Sequence, residues 1–402
     1  MSAPLLAVPD ALARVLALIA PTAEESVPLI EAQGRTLSRP VAALRTQPPF
    51  AASAMDGYAV RAIDVRPGAV LRVIGEARAG GRHGGAVGVG EAVRIFTGAP
   101  VPPGADRILI QEDAERAGDA LTVRDAIDPQ LYVRAAGIDF TAGEEMSPRR
   151  LSPQDIALLA AFNQPRVWVR ARPVIALIAT GDELVEPGET PGEDQIVSSN
   201  AYGLHALLAR HGAAPLMLPI ARDTRGSLAA ALDAARGADL IVTLGGASVG
   251  DHDLVREVFG QGGLELSFYR INMRPGKPLM AGRIAGGPPM IGLPGNPVSA
   301  MVCGHLFLRP ALDAFAGLPA GPLPRRRAPL AEAIGANGGR EHYARAALVP
   351  GPDGLAGGAA LRLFARQDSS VLSVLSAADC LAVLPPHHPA QAAGQLVDYI
   401  QL

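Results

Sequence analysis

Val174-Ile175-Ala176-Leu177-Ile178-Ala179-Thr180-Gly181-Asp182-Glu183 is an apolar run that stops abruptly in a small-residue turn and two acids. Without polar alternation, such a run predicts a strand buried on both faces, the mark of a parallel sheet lying between layers of helix. The texture repeats outward. Ser198-Ser199-Asn200 caps a helix that runs to about Arg210, and 214–220 is a second strand. Residues 227–236 are helical, 239–244 form a strand, 253–259 a helix, 290–293 a strand and 298–308 a helix. Apolar strands alternating with helices predict an α/β domain with a parallel sheet, over residues 172–320.

On the N-terminal side, 5–20 reads as an amphipathic helix, followed by a short segment at 23–37. From 45 to 141 short β-like runs (70–74, 92–96, 107–111, 121–123, 131–133) alternate with glycine and proline turns, which predicts a β-rich insert domain. Helical texture returns at 152–162, where Ser152 caps and Pro153 takes the first helical position. Residues 1–44 and 142–171 therefore read as one discontinuous helical part split by the insert. The tail, 321–402, reads as a C-terminal β domain with strands near 340–348, 360–365 and 380–384.

Of 402 residues 49% are hydrophobic and only 4% aromatic, so the cores must be built from Ala, Val, Leu and Ile. A net charge of −3 gives no nucleic-acid surface, and the cluster Arg325-Arg326-Arg327 follows two prolines as a solvated linker. The apolar stretch 11–20 has neither the length nor the flanks of a membrane span or signal. Cys303 and Cys380 fit no metal or redox spacing, which suits a reducing cytoplasm.

Ligands of open α/β sheets bind beyond the carboxyl ends of the strands. Three loops hold that position here: 180–184, 245–253 and 293–299. In the second, Gly245, Gly246 and Gly250 allow close approach of a ligand, Ser248 adds a hydroxyl, and a helix N-terminus offers amides to an anion. The same residues also suit a plain turn in which Asp253 caps the helix. In the third, Pro294 and Pro297 stiffen Gly295-Asn296, for a ligand or for architecture alone. Neither a P-loop nor a dinucleotide fingerprint is present. Glu183, Asp223 and Asp253 collect at this edge, each an ordinary loop acid if taken singly. Together they pose a like-charge problem that Mg2+ would relieve, since that ion favours a few carboxylates, waters and substrate phosphates.

Lys277, in Arg274-Pro275-Gly276-Lys277-Pro278, is the only lysine; the other 35 of the 36 basic residues are arginine. Lysine offers a compact point charge where arginine offers a flat fork. Codon bias would leave one lysine by chance; an anion contact in a stiff loop would select one. In the insert, Ser53-Ala54-Met55-Asp56-Gly57-Tyr58-Ala59 suits a tight loop presenting Asp56, or an ordinary turn with Tyr58 packed beneath it.

The runs 53–59, 95–102, 179–184, 245–253, 275–278 and 293–299 stand in the order seen in the molybdopterin molybdenumtransferases. The chain resembles that family, which includes bacterial MoeA and the C-terminal domain of gephyrin, over essentially its whole length. The resemblance implies a four-part subunit with an elongated discontinuous part, and a homodimer whose cleft lies between the α/β domain of one subunit and the insert of the other. It implies Mg2+-dependent insertion of molybdate into adenylylated molybdopterin with release of AMP. By motif, Asp56, Thr97, Asp139, Glu183, Asp223 and Asp253 are the implied functional polar residues, with Glu183, Asp223 and Asp253 assigned to Mg2+. Gly245, Gly246, Ser248 and Gly250, with Pro294 and Pro297, are the implied cradle for the pterin or its phosphate. Arg274 and Lys277 face the anions, helped by Arg340 and Ser370. Molybdopterin adenylyltransferase and molybdoenzyme-maturation proteins are the implied partners.

Ala247 stands where the family commonly has valine, Leu254 where it has tyrosine, and Arg274 where lysine is frequent. None of these departures removes a carboxylate. Two other readings compete: the adenylyltransferase, a single small α/β domain that would not need the N-terminal residues, and a scaffold like gephyrin, which would not need the acids.

Overall fold

Ile175 and Leu177 enter one hydrophobic core and Ala176 and Ile178 another, all four buried. Successive side chains of a strand point to opposite faces, so Val174–Ala179 is covered on both sides, as its unbroken apolar run predicts. The computed structural model describes residues 5–245, 254–261, 263–351 and 358–402. By contact it divides into two compact units, residues 26–169 and the segments on either side of them.

In the larger unit the six-stranded sheet runs Ala214–Met217, Val174–Ala179, Leu240–Leu244, Pro289–Leu293, Met280–Ile284, Leu264–Tyr269. The first four strands, those read from the sequence, are parallel as expected; the last two, which the sequence reading did not foresee, pair antiparallel with their neighbours. Parallel neighbours need a long crossover, usually a helix. After the helix Leu254–Gln261 no further helix intervenes until Pro297–Cys303. The strands at 264–269, 280–284 and 289–293 therefore fold back on one another through loops. Lys277 accordingly lies between two strands of this antiparallel edge.

The helix Val8–Ala17 buries Val8, Ala11, Leu12 and Val15, an i, i+3, i+4, i+7 stripe, in the same core as Phe268, Leu312 and Phe315. Its contacts join it to the α/β core. The helix expected at 298–308 starts at Pro297, passes through a π-helical stretch at Gly304–Leu308 and continues to Phe315. Glu341–Pro350, Cys380–Leu384, Leu396–Gln401 and Arg326–Pro329 make the antiparallel C-terminal sheet. Met273–Arg274, from the loop that carries Lys277, adds to its edge in parallel.

The smaller unit holds the insert sheet, in the order Arg107–Ile110, Gly57–Val60, Glu91–Ile95, Val70–Ala77, Ala120–Val123, Ala114–Ala117. Only the Val70–Ala77 and Glu91–Ile95 pair is parallel. The strand expected at 131–133 is reduced to Val133–Arg134 paired with Ala52–Ser53. Val27, Leu37, Met146, Leu151, Leu159, Phe162 and Val167 pack in a separate cluster. Among its described residues this part has one α-helix, Pro153–Ala161, and short ladders such as Glu145–Met146 on Val41–Ala42, so it is less helical than expected. Its helix begins as the sequence predicts: Ser152 Oγ accepts from the Asp155 amide while the Asp155 carboxylate accepts from the Ser152 amide. Such a cap contributes about 1 kcal/mol.

Candidate active site

Asp56 sits where the run 53–56 turns into the strand Gly57–Val60. Its Oδ1 accepts from both the amide and the hydroxyl of Thr97, each at 2.8 Å. These bonds, the backbone one foremost, hold its carboxyl below the ordinary range, helped by the charge of Arg94. Arg94 lies over the rings of Tyr58 and Phe96 and donates to the Gly57 carbonyl. Tyr58 is indeed packed, and Asp56 is an oriented, ionised acceptor above it. Asp139 is exposed, its amide donating to the Gln47 carbonyl at 3.2 Å. It is tied to the same 47–56 segment, with no side-chain bond to Asp56 or Thr97.

In the larger unit the carboxyl ends of Val174–Ala179, Leu240–Leu244 and Pro289–Leu293 coincide, with Ala179 opposite Leu244 and Leu244 opposite Leu293. The strand first in sequence has the second on one side and the third on the other. That is the switch point at which doubly wound sheets bind ligands. Gly245, at φ +98°, leaves the central strand so close to Thr180 that a Cβ would lie 2.9 Å from its carbonyl and hydroxyl oxygens. Asn200 Nδ2 donates to the Gly295 carbonyl at 2.6 Å, which ties the 293–299 turn to the start of a helix.

Beside them, the Asp223 amide donates to Asp182 Oδ1 at 3.1 Å, and the Glu183 carboxylate lies against Gly181. Desolvation, then the charges of Asp182 and Glu183, push the Asp223 carboxyl above its ordinary range. Arg222 donates to the Leu184 carbonyl at 2.9 Å and braces this turn. The structure thus brings Glu183 and Asp223 together and adds Asp182, which motif reasoning passed over. Gly246, Ser248, Gly250 and Asp253 lie outside the described residues. Among the described residues no three His, Cys, Asp or Glu side chains converge on a metal position. Glu183 and Asp223 are a partial, all-oxygen donor set, of the chemistry that Mg2+ takes.

Arg274 and Lys277 are both exposed, and the Lys277 ammonium has no hydrogen bond or ion pair among the described residues. Their loop is anchored at Arg274, opposite His342, and by the Ile271 amide on the Lys277 carbonyl at 3.0 Å. Three residues along that strand from His342 is Arg345, a fully buried arginine that sequence reasoning missed. Its Nη2 donates to the carbonyls of Arg366 and Asp368, but Nε and Nη1 have no partner among the described residues. An uncompensated buried charge costs about 3–5 kcal/mol. Its Nε–H and Nη1–H groups point to different sides of the guanidinium, each able to donate to one oxygen of an anion. The signal was legible: an arginine amid Tyr343, Ala344 and Ala346 stands where a strand should be buried.

Arg340, the expected helper, is exposed. Ser370 spends its hydroxyl on Asp368 Oδ1 at 2.6 Å. Its neighbour Ser369 meets the 293–299 turn, its Oγ accepting from Asn296 Nδ2 at 3.1 Å and its carbonyl from the Val298 amide at 3.1 Å. Pro294 is buried and Pro297 opens the helix that follows.

Three family descriptions match in succession: MoeA N-terminal region (domain I and II) over residues 6–163, probable molybdopterin binding domain over 176–314, and MoeA C-terminal region (domain IV) over 327–402. The molybdopterin molybdenumtransferase of Nostoc sp. strain PCC 7120 is 36% identical over 307 residues, 74% of this chain and 70% of that one. Molybdopterin molybdenumtransferase 2 of Mycobacterium tuberculosis is 36% identical over 336 residues, 80% and 83% of the two chains. The molybdopterin biosynthesis moeA protein of Pyrococcus horikoshii OT3 superposes with a TM-score of 0.83 at 27% identity, over 99% of this chain and 100% of that one. With matches at this level running in order from end to end, the chain belongs to the MoeA family and is a molybdopterin molybdenumtransferase, an enzyme of molybdenum cofactor biosynthesis.

Proposed function

We propose that this transferase inserts molybdate into adenylylated molybdopterin and releases AMP in a Mg2+-dependent reaction. The observation that carries this reading is Arg345, a buried guanidinium whose Nε and Nη1 have no partner among the described residues, next in space to the Arg274–Lys277 loop. In this reading Arg345, Arg274 and Lys277 draw in and orient the molybdate dianion, and the turns at Gly245 and Pro294–Pro297 seat the pterin substrate. AMP leaves when water's oxygen bonds to phosphorus and the phosphoanhydride P–O bond breaks; the water proton passes to a carboxylate of the set that includes Asp56, Glu183 and Asp223. Glu183, Asp223 and Asp253 would hold Mg2+, which when bound would neutralise phosphate charge; the raised Asp223 pKa supports this, since a cation relieves the crowding that causes it.

The same reading makes the protein a cytoplasmic homodimer of four-part subunits, with Asp56, Thr97 and Asp139 of one subunit facing the α/β domain of the other. Molybdopterin adenylyltransferase would supply its substrate and molybdoenzyme-maturation proteins would take its product. Among the described residues no helix is long and apolar enough to cross a membrane.

Chromatography of AMP from purified protein, adenylylated molybdopterin, Mg2+ and molybdate tests the reaction. Asp56→Ala and Glu183→Ala should each slow release by about 10²-fold, the low end for a positioned proton-transfer group. Lys277→Arg should raise the molybdate concentration needed for half-maximal rate. No molybdate-dependent AMP release by the unmodified enzyme would sink the proposal.

A further inference from the structure

The strand Glu341–Pro350 is paired along one edge by Cys380–Leu384, continuously from His342 to Ala346. On its other edge the partner changes: Met273–Arg274 covers Glu341 and His342, and Ala359–Leu363 takes over only at Ala346. Between them the Arg345 carbonyl still accepts from the Phe364 amide at 3.1 Å, but the Arg345 amide finds no backbone carbonyl on this edge. A buried backbone amide left there unpaired would cost about 1–3 kcal/mol. Gln367 fills the gap with its side chain. Its Oε1 accepts from the Arg345 amide at 3.0 Å, and its Nε2 donates to the Arg345 carbonyl at 2.9 Å and to the Phe364 carbonyl at 2.7 Å.

The clasp is reciprocal. While the Gln367 side chain holds the Arg345 backbone, the Arg345 guanidinium donates to the carbonyls on either side of Gln367, those of Arg366 and Asp368. Ser369, two residues beyond Gln367, is the residue that meets Asn296 and Val298. One amide side chain therefore sets both the direction of the buried guanidinium and the seating of the 366–369 segment on the ligand-binding turn.

We infer that Gln367 is a positioning residue for an oxyanion bound at Arg345, fixing the direction of the unpartnered Nε and Nη1 donors by holding the Arg345 backbone where the neighbouring strand gives out. The inference rests on reading Arg345 as the oxyanion contact, and it adds a residue that never touches the ion.

Molybdate binding by calorimetry on the full-length protein tests it without the pterin substrate. Gln367→Met keeps the length of the side chain and loses all three bonds. Gln367→Glu keeps the acceptor for the Arg345 amide and loses both donations. Each variant should bind molybdate about tenfold more weakly, the smaller of the usual effects of removing an outer partner. In turnover, each should need more molybdate while keeping its kcat at saturating molybdate, a split that a merely structural defect would not give. Wild-type affinity in either folded variant overturns the inference, and so does failure of both to fold, which would make Gln367 a structural requirement only. Arg345→Lys separates the two claims. If it binds molybdate as tightly as the unmodified protein, or the unmodified protein binds none, the oxyanion reading itself falls.

Discussion

His342 is held neutral by burial first and then by the charges of Arg274, Arg345 and Arg340, with its pKa pushed down to about 4 from 6.5. The unfolded chain takes up this proton near its ordinary pKa, while the folded chain resists until about 4. Between those values the unfolded state binds more protons, so the folded state loses stability as pH falls through the window. His305, also pushed down to about 4 by burial, with Arg309, His211 and Arg210 adding to it, contributes a second such loss. His342→Gln should therefore make the fall in melting temperature between about pH 6.5 and pH 4 shallower without abolishing it. An unchanged slope would mean that His342 is not the buried neutral imidazole described here. At this scale the acids were legible from motif order, because Asp56, Glu183 and Asp223 each stand at a strand end. A buried Arg345 was legible too, but its unpartnered donors and the roles of Ser369 and Gln367 were not, because these depend on which strand edge is left uncovered.

The loop between Leu264–Tyr269 and Met280–Ile284 shows how an element can be built around one glycine. Gly276 has φ +114°, and a Cβ there would lie 2.6 Å from Cys303 Sγ and 3.0 Å from Met273 Cε. Both neighbours are buried, so neither can move away cheaply. Gly276→Ala should cost about 1–3 kcal/mol from backbone strain and overpacking together. Gly226, in the helix Arg225–Ala234, has open space around its Cβ position and no positive φ. Gly226→Ala should instead stabilise by about 0.5–1 kcal/mol. Urea titrations of the two variants check both signs, and equal effects would show that the packing under Lys277 is loose. Cys303, pushed well above the ordinary thiol range by burial, is core filler under this loop, as its lack of any motif spacing suggested.

A test of the whole molecule comes from pairing two defective subunits. If Asp56 of one subunit serves the cleft built on Glu183 of the other, an Asp56→Ala and Glu183→Ala heterodimer has one cleft with neither acid and one intact. Mixed refolding should then restore about half the activity of the unmodified dimer per heterodimer. If both acids serve a cleft within their own subunit, every cleft stays defective and mixing restores nothing. The four parallel strands, their helices, the insert's short strands and the capped helix at Pro153–Ala161 could be read directly, because periodicity and caps are local properties of the chain. The antiparallel return of the sheet at 264–293 could not, because direction depends on how the chain comes back. The docking of Val8–Ala17 on the α/β core could not either, because an amphipathic stripe does not say which core receives it. The sequence by itself determined the elements, the strand-end loops and the family to which their order belongs. Tertiary structure alone decided that Arg345 is buried with two donors unpartnered and that Gln367 completes its pairing where a strand gives out, since burial and pairing arise only when distant segments meet.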